Sequence, residues 1–214
     1  MPVPSHPLPQ LPSIQPSVDD VRALMRDPLS GHPLRNPHPE KPVSEAVRAR
    51  ARSSAVLLPI VKGPEPAIIV TRRHARIRFA GHICFPGGTH DEGDESLVKT
   101  ALRETEEEIA LPASDVEVLG SLGEYVTQAG YRITPVVGLV DDTGHLTANP
   151  DEVEEIYEVP LAHACNTDNY AVTWHNTDRG HIACHFGEVR IAGPTLSILL
   201  NFYERLCEVT PSSS

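Results

Sequence analysis

The stretch Glu95–Leu111, ESLVKTALRETEEEIAL, decides the reading. Val98, Leu102, Thr105 and Ile109 fall at spacings of four, three and four, the repeat of a helix that buries one stripe. Glu104 and Glu108 are four apart and Glu107 is three from Glu104, so the three carboxylates are expected on one face beside that stripe. Like charges at this spacing destabilise a helix by roughly 0.2–0.5 kcal/mol per pair. A divalent cation removes the penalty, because Mg²⁺ takes hard oxygen ligands from one or two carboxylates plus substrate phosphates. Arg103 stands four before Glu107 and is placed to hold that carboxylate. A plain run of glutamates is more often a solvated acidic face. Here a Phe85-Pro86-Gly87-Gly88 turn precedes the acids, and glycine lets the backbone approach a ligand closely.

Working outward, Ala55–Val61 and Ala67–Thr71 read as strands, and Gly81–Phe85 as a short one. Further strands are expected at 116–125, 133–140 and 152–159, with a hairpin over 170–176 and 181–191. Thr195–Val209 reads as an amphipathic helix with Leu196, Leu199, Leu200, Tyr203 and Leu206 on one face. The organisation expected is a disordered Pro-rich tail over 1–16, a helical extension over 17–53, a catalytic domain over 54–209 and a flexible end over 210–214. Within the extension, Ser17 is read as the N-cap of a helix over 17–27, and a second helical piece is placed at Ser44–Ala51. Strands dominate, which predicts an α+β fold with a mixed sheet.

Gly88 through Leu111 resembles the Nudix box, a pattern of glycine, a glutamate, then Arg-Glu, two residues, Glu-Glu and a glycine. Arg103-Glu104-Thr105-Glu106-Glu107-Glu108 match its core. Glu95 stands eight before Arg103, as the pattern has it, but six residues separate it from Gly88 where the pattern has five; Asp94 is the alternative. Ala110 replaces the second glycine. The resemblance implies a Nudix-like α/β/α sandwich with one central catalytic helix and a C-terminal helix. It implies a metal-dependent hydrolase of nucleoside diphosphates linked to another group. Glu104, Glu107, Glu108 and the carbonyl of Gly88 would hold Mg²⁺ (or Mn²⁺), and Arg103 would fix a glutamate. Glu152 is the candidate general base, with Glu155 second; both also read as a solvated acidic loop.

Thr71-Arg72-Arg73 with Gly81-His82-Ile83-Cys84-Phe85-Pro86-Gly87-Gly88 resembles the coenzyme A pyrophosphatase branch of the family. So do Ile133–Gly138 and Asn149–Val153. That branch implies 3′,5′-ADP and 4′-phosphopantetheine as products. Arg73, Arg76 and Arg78 are the candidate phosphate ligands, Arg76 and Arg78 having the spacing of one strand face, and a charged edge strand is the competing account. Nucleotide sugars, dinucleotides or nucleoside triphosphates are alternative substrates, and a non-catalytic nucleotide sensor is the alternative from another class.

The net charge of −11 and the absence of a basic stripe argue against a nucleic-acid partner. No apolar run reaches the ~20 residues of a membrane span, and no export signal is visible, so a cytoplasmic chain with free thiols at Cys84, Cys165, Cys184 and Cys207 is expected. The partner expected is a small-molecule nucleotide, with a homodimer possible through the extension. His163, Cys165, His181, Cys184 and His185 lack the closely spaced Cys pairs usual in a zinc site.

Overall fold

The computed structural model describes residues 8, 10–38, 40–176 and 179–210. In chain order its elements are α1 (Val18–Arg26), α2 (Glu45–Ala49), β1 (Arg52–Val61), β2 (Ala67–Arg73), β3 (Ile83–Cys84), β4 (Gly87–Thr89) and α3 (Leu97–Ile109). There follow β5 (Val116–Ser121), β6 (Tyr125–Val126), β7 (Tyr131–Val140), β8 (Val153–Pro160), α4 (Leu161–Ala164), β9 (Tyr170–Trp174), β10 (Gly180–Phe186), β11 (Val189–Ala192) and α5 (Gly193–Val209).

The main sheet runs β3-β2-β1-β7-β5, with β4 paired to β1, β6 to β7 and β8 to β2. It is mixed: β1 and β7 are parallel over the full register from Arg52↔Tyr131 to Val61↔Val140, and the other pairings are antiparallel. A smaller antiparallel sheet holds β11-β10-β9. The hairpin expected over 170–191 is therefore three strands, because a turn at Gly187 splits the second run.

Side chains alternate across the central strands and build two cores. Ala55 and Leu57 of β1, Ile69 of β2, and Val136 and Val140 of β7 pack on Ala101, Leu102 and Ile109 of α3. Leu58, Ile60, Ile68, Val70, Val137 and Leu139 face the opposite way, toward α1, α5 and the small sheet. The sheet thus lies between a layer made by α3 and a layer holding the C-terminal helix α5, the sandwich expected above.

The N-terminal end differs from expectation. Ile14 is buried in the second core, its N–H donates to the carbonyl of Cys165 (3.2 Å), and Tyr203 Oη donates to the carbonyl of Pro12 (2.6 Å). The tail expected over 1–16 therefore does not include this part, because Ile14 gains more from burial than its chain loses in freedom; residues 1–7 and 9 lie outside the described residues. The Ser17 cap is present and reciprocal, with Asp20 returning to the Ser17 N–H at 2.8 Å. The extension folds back on its own chain: Arg22 pairs with Glu117, and Asn201 brackets Arg35 with bonds of 3.1 and 2.9 Å. At the other end, Thr210 is buried and caps α5, while 211–214 lie outside the described residues. Among the described residues no helix is long and apolar enough to cross a membrane.

Candidate active site

Helix α3 begins at the Ser96 cap and ends at Ala110, which takes the left-handed conformation (φ 55°, ψ 33°). Its buried face carries Leu102, Thr105, Ile109 and one charged residue, Glu108, which is 3% exposed. A carboxylate at that depth needs partners. The Gly87 N–H donates to Glu108 Oε2 at 3.2 Å, and Arg73 Nη1 lies 3.6 Å from Oε1. Burial is nevertheless the larger influence and pushes the Glu108 carboxyl up to about 7; Arg73 and the Gly87 N–H pull it back, and Glu152 and Glu104 add to the rise. Glu104, half-buried one turn earlier, is also raised by burial, against the pull of Arg103.

The two glycines of the turn have separate jobs. Gly87 has φ 147°, and a Cβ there would stand 2.3 Å from the Ala55 carbonyl oxygen and 2.6 Å from Val56 Cα. Gly87 is thus the close approach of β4 to β1. At Gly88 a Cβ would meet the Glu104 carboxylate, with Cδ and Oε2 each at 2.3 Å. The missing side chain is the space that Glu104 occupies.

Arg103 gathers the acids around it. Its Nε and Nη2 grip Asp94 bidentately at 2.9 and 3.0 Å. Nη2 also lies 2.9 Å from Glu104, and Nη1 lies 3.3 Å from both oxygens of Glu107. The Asp94 side chain is 7% exposed, and Arg103 beside it holds its carboxyl far below the usual range. Thr100 donates to the same carboxylate at 2.9 Å. Glu95 is exposed, so the acid that anchors Arg103 is Asp94. The signal was in the sequence: Asp94, and not Glu95, is separated from Gly88 by five residues.

The expectation that Glu104, Glu107 and Glu108 share one face holds for two of them. Glu107 turns outward, with a side chain 52% exposed. Glu152, at the entry to β8, lines the cavity with Glu104 and Glu108, whereas Glu155 is exposed farther along β8, accepting a bond from Tyr157. The cavity measures about 730 Å³. Arg73 and Arg78 line it. Arg73 closes the end of β2 and donates through Nε to the Arg78 carbonyl at 3.1 Å. Arg76, the third candidate phosphate ligand, is exposed and absent from the wall. Residues 74–82 form turns, so the two-residue spacing from Arg76 to Arg78 does not place both on one face. Sequence reasoning missed Tyr131, His38 and Phe79 in the wall; only the fold brings them to it.

Among the described residues no three His, Cys, Asp or Glu side chains form a ready metal cage. The donor chemistry still fits a hard divalent ion. Glu104 and Glu108 are carboxylates held against burial and against each other, with the backbone of Gly88 packed beside them.

Comparison with known proteins follows the same lines. Residues 51–179 match the family described as the NUDIX domain. The uncharacterized Nudix hydrolase NudL of Yersinia enterocolitica is 42% identical over 144 residues, covering 67% of this chain and 73% of that protein. Its counterpart from Photorhabdus laumondii is 44% identical over 138 residues, 64% of this chain and 72% of that one. In structure, a MutT/nudix family protein of Enterococcus faecalis superposes with a TM-score of 0.51 at 18% identity, covering 79% of this chain and 65% of its own. A Deinococcus radiodurans protein gives a TM-score of 0.50 at 13% identity over 75% and 88%. These structures share the fold. The match over residues 51–179 and the NudL identities, which agree with a glycine turn packed against Glu104 and Glu108, establish that the chain belongs to the Nudix family of hydrolases, which act on pyrophosphate bonds.

Proposed function

We propose that the chain hydrolyses the pyrophosphate of coenzyme A or its derivatives, releasing 3′,5′-ADP and 4′-phosphopantetheine. The observation that carries this is a single cavity with three kinds of wall. Glu104, Glu108 and Glu152 supply the acids, Arg73 and Arg78 the cations, and Val56, Ile83, Ile133, Pro194 and Ile198 an apolar side. A substrate with a charged pyrophosphate and a long uncharged arm matches that division. The resemblance of Thr71–Arg73 and Gly81–Gly88 to the coenzyme A branch points the same way.

In this reading Glu104, Glu108 and the Gly88 carbonyl would hold Mg²⁺ or Mn²⁺, with Glu107 toward a second ion or a water. Bound there, the ion neutralises pyrophosphate charge and lowers the pKa of water. Arg103 acts through others: anchored on Asp94, it fixes the rotamers of Glu104 and Glu107. Arg73, beside Glu108, is in reach of a phosphate oxygen and offsets its charge. Glu152 takes the proton of the attacking water as the new P–O bond forms and the anhydride bond breaks.

The test is incubation with coenzyme A and Mg²⁺, with products identified by mass spectrometry and compared across a panel of nucleotide sugars, dinucleotides and nucleoside triphosphates. Release of 3′,5′-ADP at the highest kcat/KM of the panel is expected. Turnover of a panel member with coenzyme A left intact overturns the substrate assignment.

A further inference from the structure

The loop between β2 and β3 holds an unusual residue. Phe79 has φ 63°, and apart from the helix-capping Ala110 it is the one residue other than glycine with positive φ among those described. A bulky side chain in the left-handed region is strained, and such strain persists where the surroundings enforce it, often at ligand sites. Burial does not explain it here, since Phe79 is 44% exposed, the most of any large hydrophobic residue among those described. It stands in the wall of the catalytic cavity. The Arg78 guanidinium lies over its ring at 4.6 Å from the centroid and over the Tyr131 ring at 5.7 Å, and Arg78 Nη1 donates to Tyr131 Oη at 3.0 Å. The His82 ring is 5.7 Å away, tilted by 36°. An aromatic ring is thus held half open in the wall of a cavity of about 730 Å³, set in place by flat neighbours and not by a core.

We propose that Phe79 is the platform on which the nucleobase of the substrate stacks, with Arg78 and Tyr131 bounding the same subsite. The proposal rests on the reading of the substrate as a nucleotide conjugate, and it adds which residue recognises the base. Every nucleobase has a π-face, and stacking on an aromatic side chain strengthens binding by roughly ten- to a hundredfold per base. Arg78, over one face of the ring, then backs the platform while the base takes the other face, and the phosphates fall to Arg73, nearer the carboxylates.

The experiment compares wild type with Phe79→Leu and Phe79→Gly in the presence of Mg²⁺. Calorimetry reads the binding of 3′,5′-ADP, 4′-phosphopantetheine and inorganic pyrophosphate, and steady-state kinetics with coenzyme A reads KM and kcat. Phe79→Leu keeps apolar bulk and loses the π-face; it weakens 3′,5′-ADP about tenfold or more and raises KM to match, with pyrophosphate affinity and kcat held. Phe79→Gly weakens the nucleotide equally but relieves the positive φ, so its Tm equals or exceeds that of wild type. A purely structural role gives a lower Tm and loses all three ligands together, which overturns the proposal. Loss of phosphopantetheine binding alone overturns it too, by assigning the ring to the pantetheine arm. So does a wild type that binds pyrophosphate as tightly as 3′,5′-ADP. If coenzyme A is hydrolysed and Phe79→Leu behaves as wild type, the base subsite fails and the substrate reading stands. If Phe79 variants lose 3′,5′-ADP while wild type spares coenzyme A, the subsite stands and the substrate reading fails.

Discussion

The glycine turn with helix α3 and the arginine loop at 74–82 face the same cavity and are built on opposite lines. In the first, each side chain is held from several directions: Glu108 by Gly87 and Arg73, Glu104 by the hollow at Gly88, Arg103 by Asp94, Glu104 and Glu107. In the second, Arg76, Arg78 and Phe79 are exposed on turns, and Arg78 is held by stacking and one bond to Tyr131. The chemical half of the site is over-determined and the recognition half is not. Substitutions in the first half should therefore act on turnover nearly all or none, and those in the second should grade affinity.

The largest effect is expected at Glu108. Glu108→Gln keeps shape and removes the charge that would hold the metal in the proposed reading, so kcat should fall on the order of 10³-fold, about 4 kcal/mol of barrier. The fold should gain. In metal-free protein the raised Glu108 pKa means that the native state holds a proton the unfolded state has released between about pH 4.5 and 7. Wild-type stability from this group is full below 4.5 and is lost as pH rises through 7. Denaturant melts of the chelated proteins should show Glu108→Gln gaining on wild type across that window; a constant difference would contradict the burial argument.

Next come the two glycines, which separate fold from site within one dipeptide. Gly88→Ala pushes only the flexible end of Glu104, so the protein should fold with near-normal Tm and lose activity by about a hundredfold. Gly87→Ala drives a methyl group into the backbone of β1 and should show its loss in stability and soluble yield first. If the two variants behaved alike, the division of labour would be wrong. A smaller effect is expected at Asp94, which stands behind Arg103 and outside the cavity wall. Asp94→Asn breaks the bidentate grip on Arg103 and should lower kcat about 10- to 100-fold. Glu95→Gln, one residue away and exposed, should be silent in the same assay.

The same contrast explains what was legible. Helix α3, both core faces of β1 and β2, and the pairing of Glu104 with Glu108 follow from periods of 3.6 and 2, which local sequence carries. The shared strand face expected for Arg76 and Arg78 is absent because two-residue spacing has meaning on a strand and none on the turns that they occupy. Ile14 was missed because the hollow that it fills, beside Cys165 and Tyr203, is made by residues more than 150 positions away. Tyr131 reaches the cavity only because β7 lies parallel to β1, a pairing that no local pattern announces.

The smallest effect tests the one place where the over-determined half is strained. Ala110 ends α3 in the left-handed conformation, and its N–H donates to the Glu106 carbonyl at 2.9 Å. An L-residue there costs about 1–2 kcal/mol that glycine avoids. Glycine returns part of that through greater freedom in the unfolded chain, about 0.4–1 kcal/mol. Ala110→Gly should therefore raise stability by about 0.5–1 kcal/mol, or ~1–4 °C in Tm for a chain of this size. Glu108 lies two residues before the cap, and its carbonyl is fixed independently by the Asn149 N–H at 2.9 Å, so kcat should not move. The comparison with Phe79→Gly is the sharpest form of the argument. Both substitutions release a positive φ and both should hold or raise Tm, but only the one in the arginine loop should weaken nucleotide binding. An Ala110→Gly protein with a lower Tm would mean that the strain read from φ is not felt by the fold, and the case for Phe79 would weaken with it.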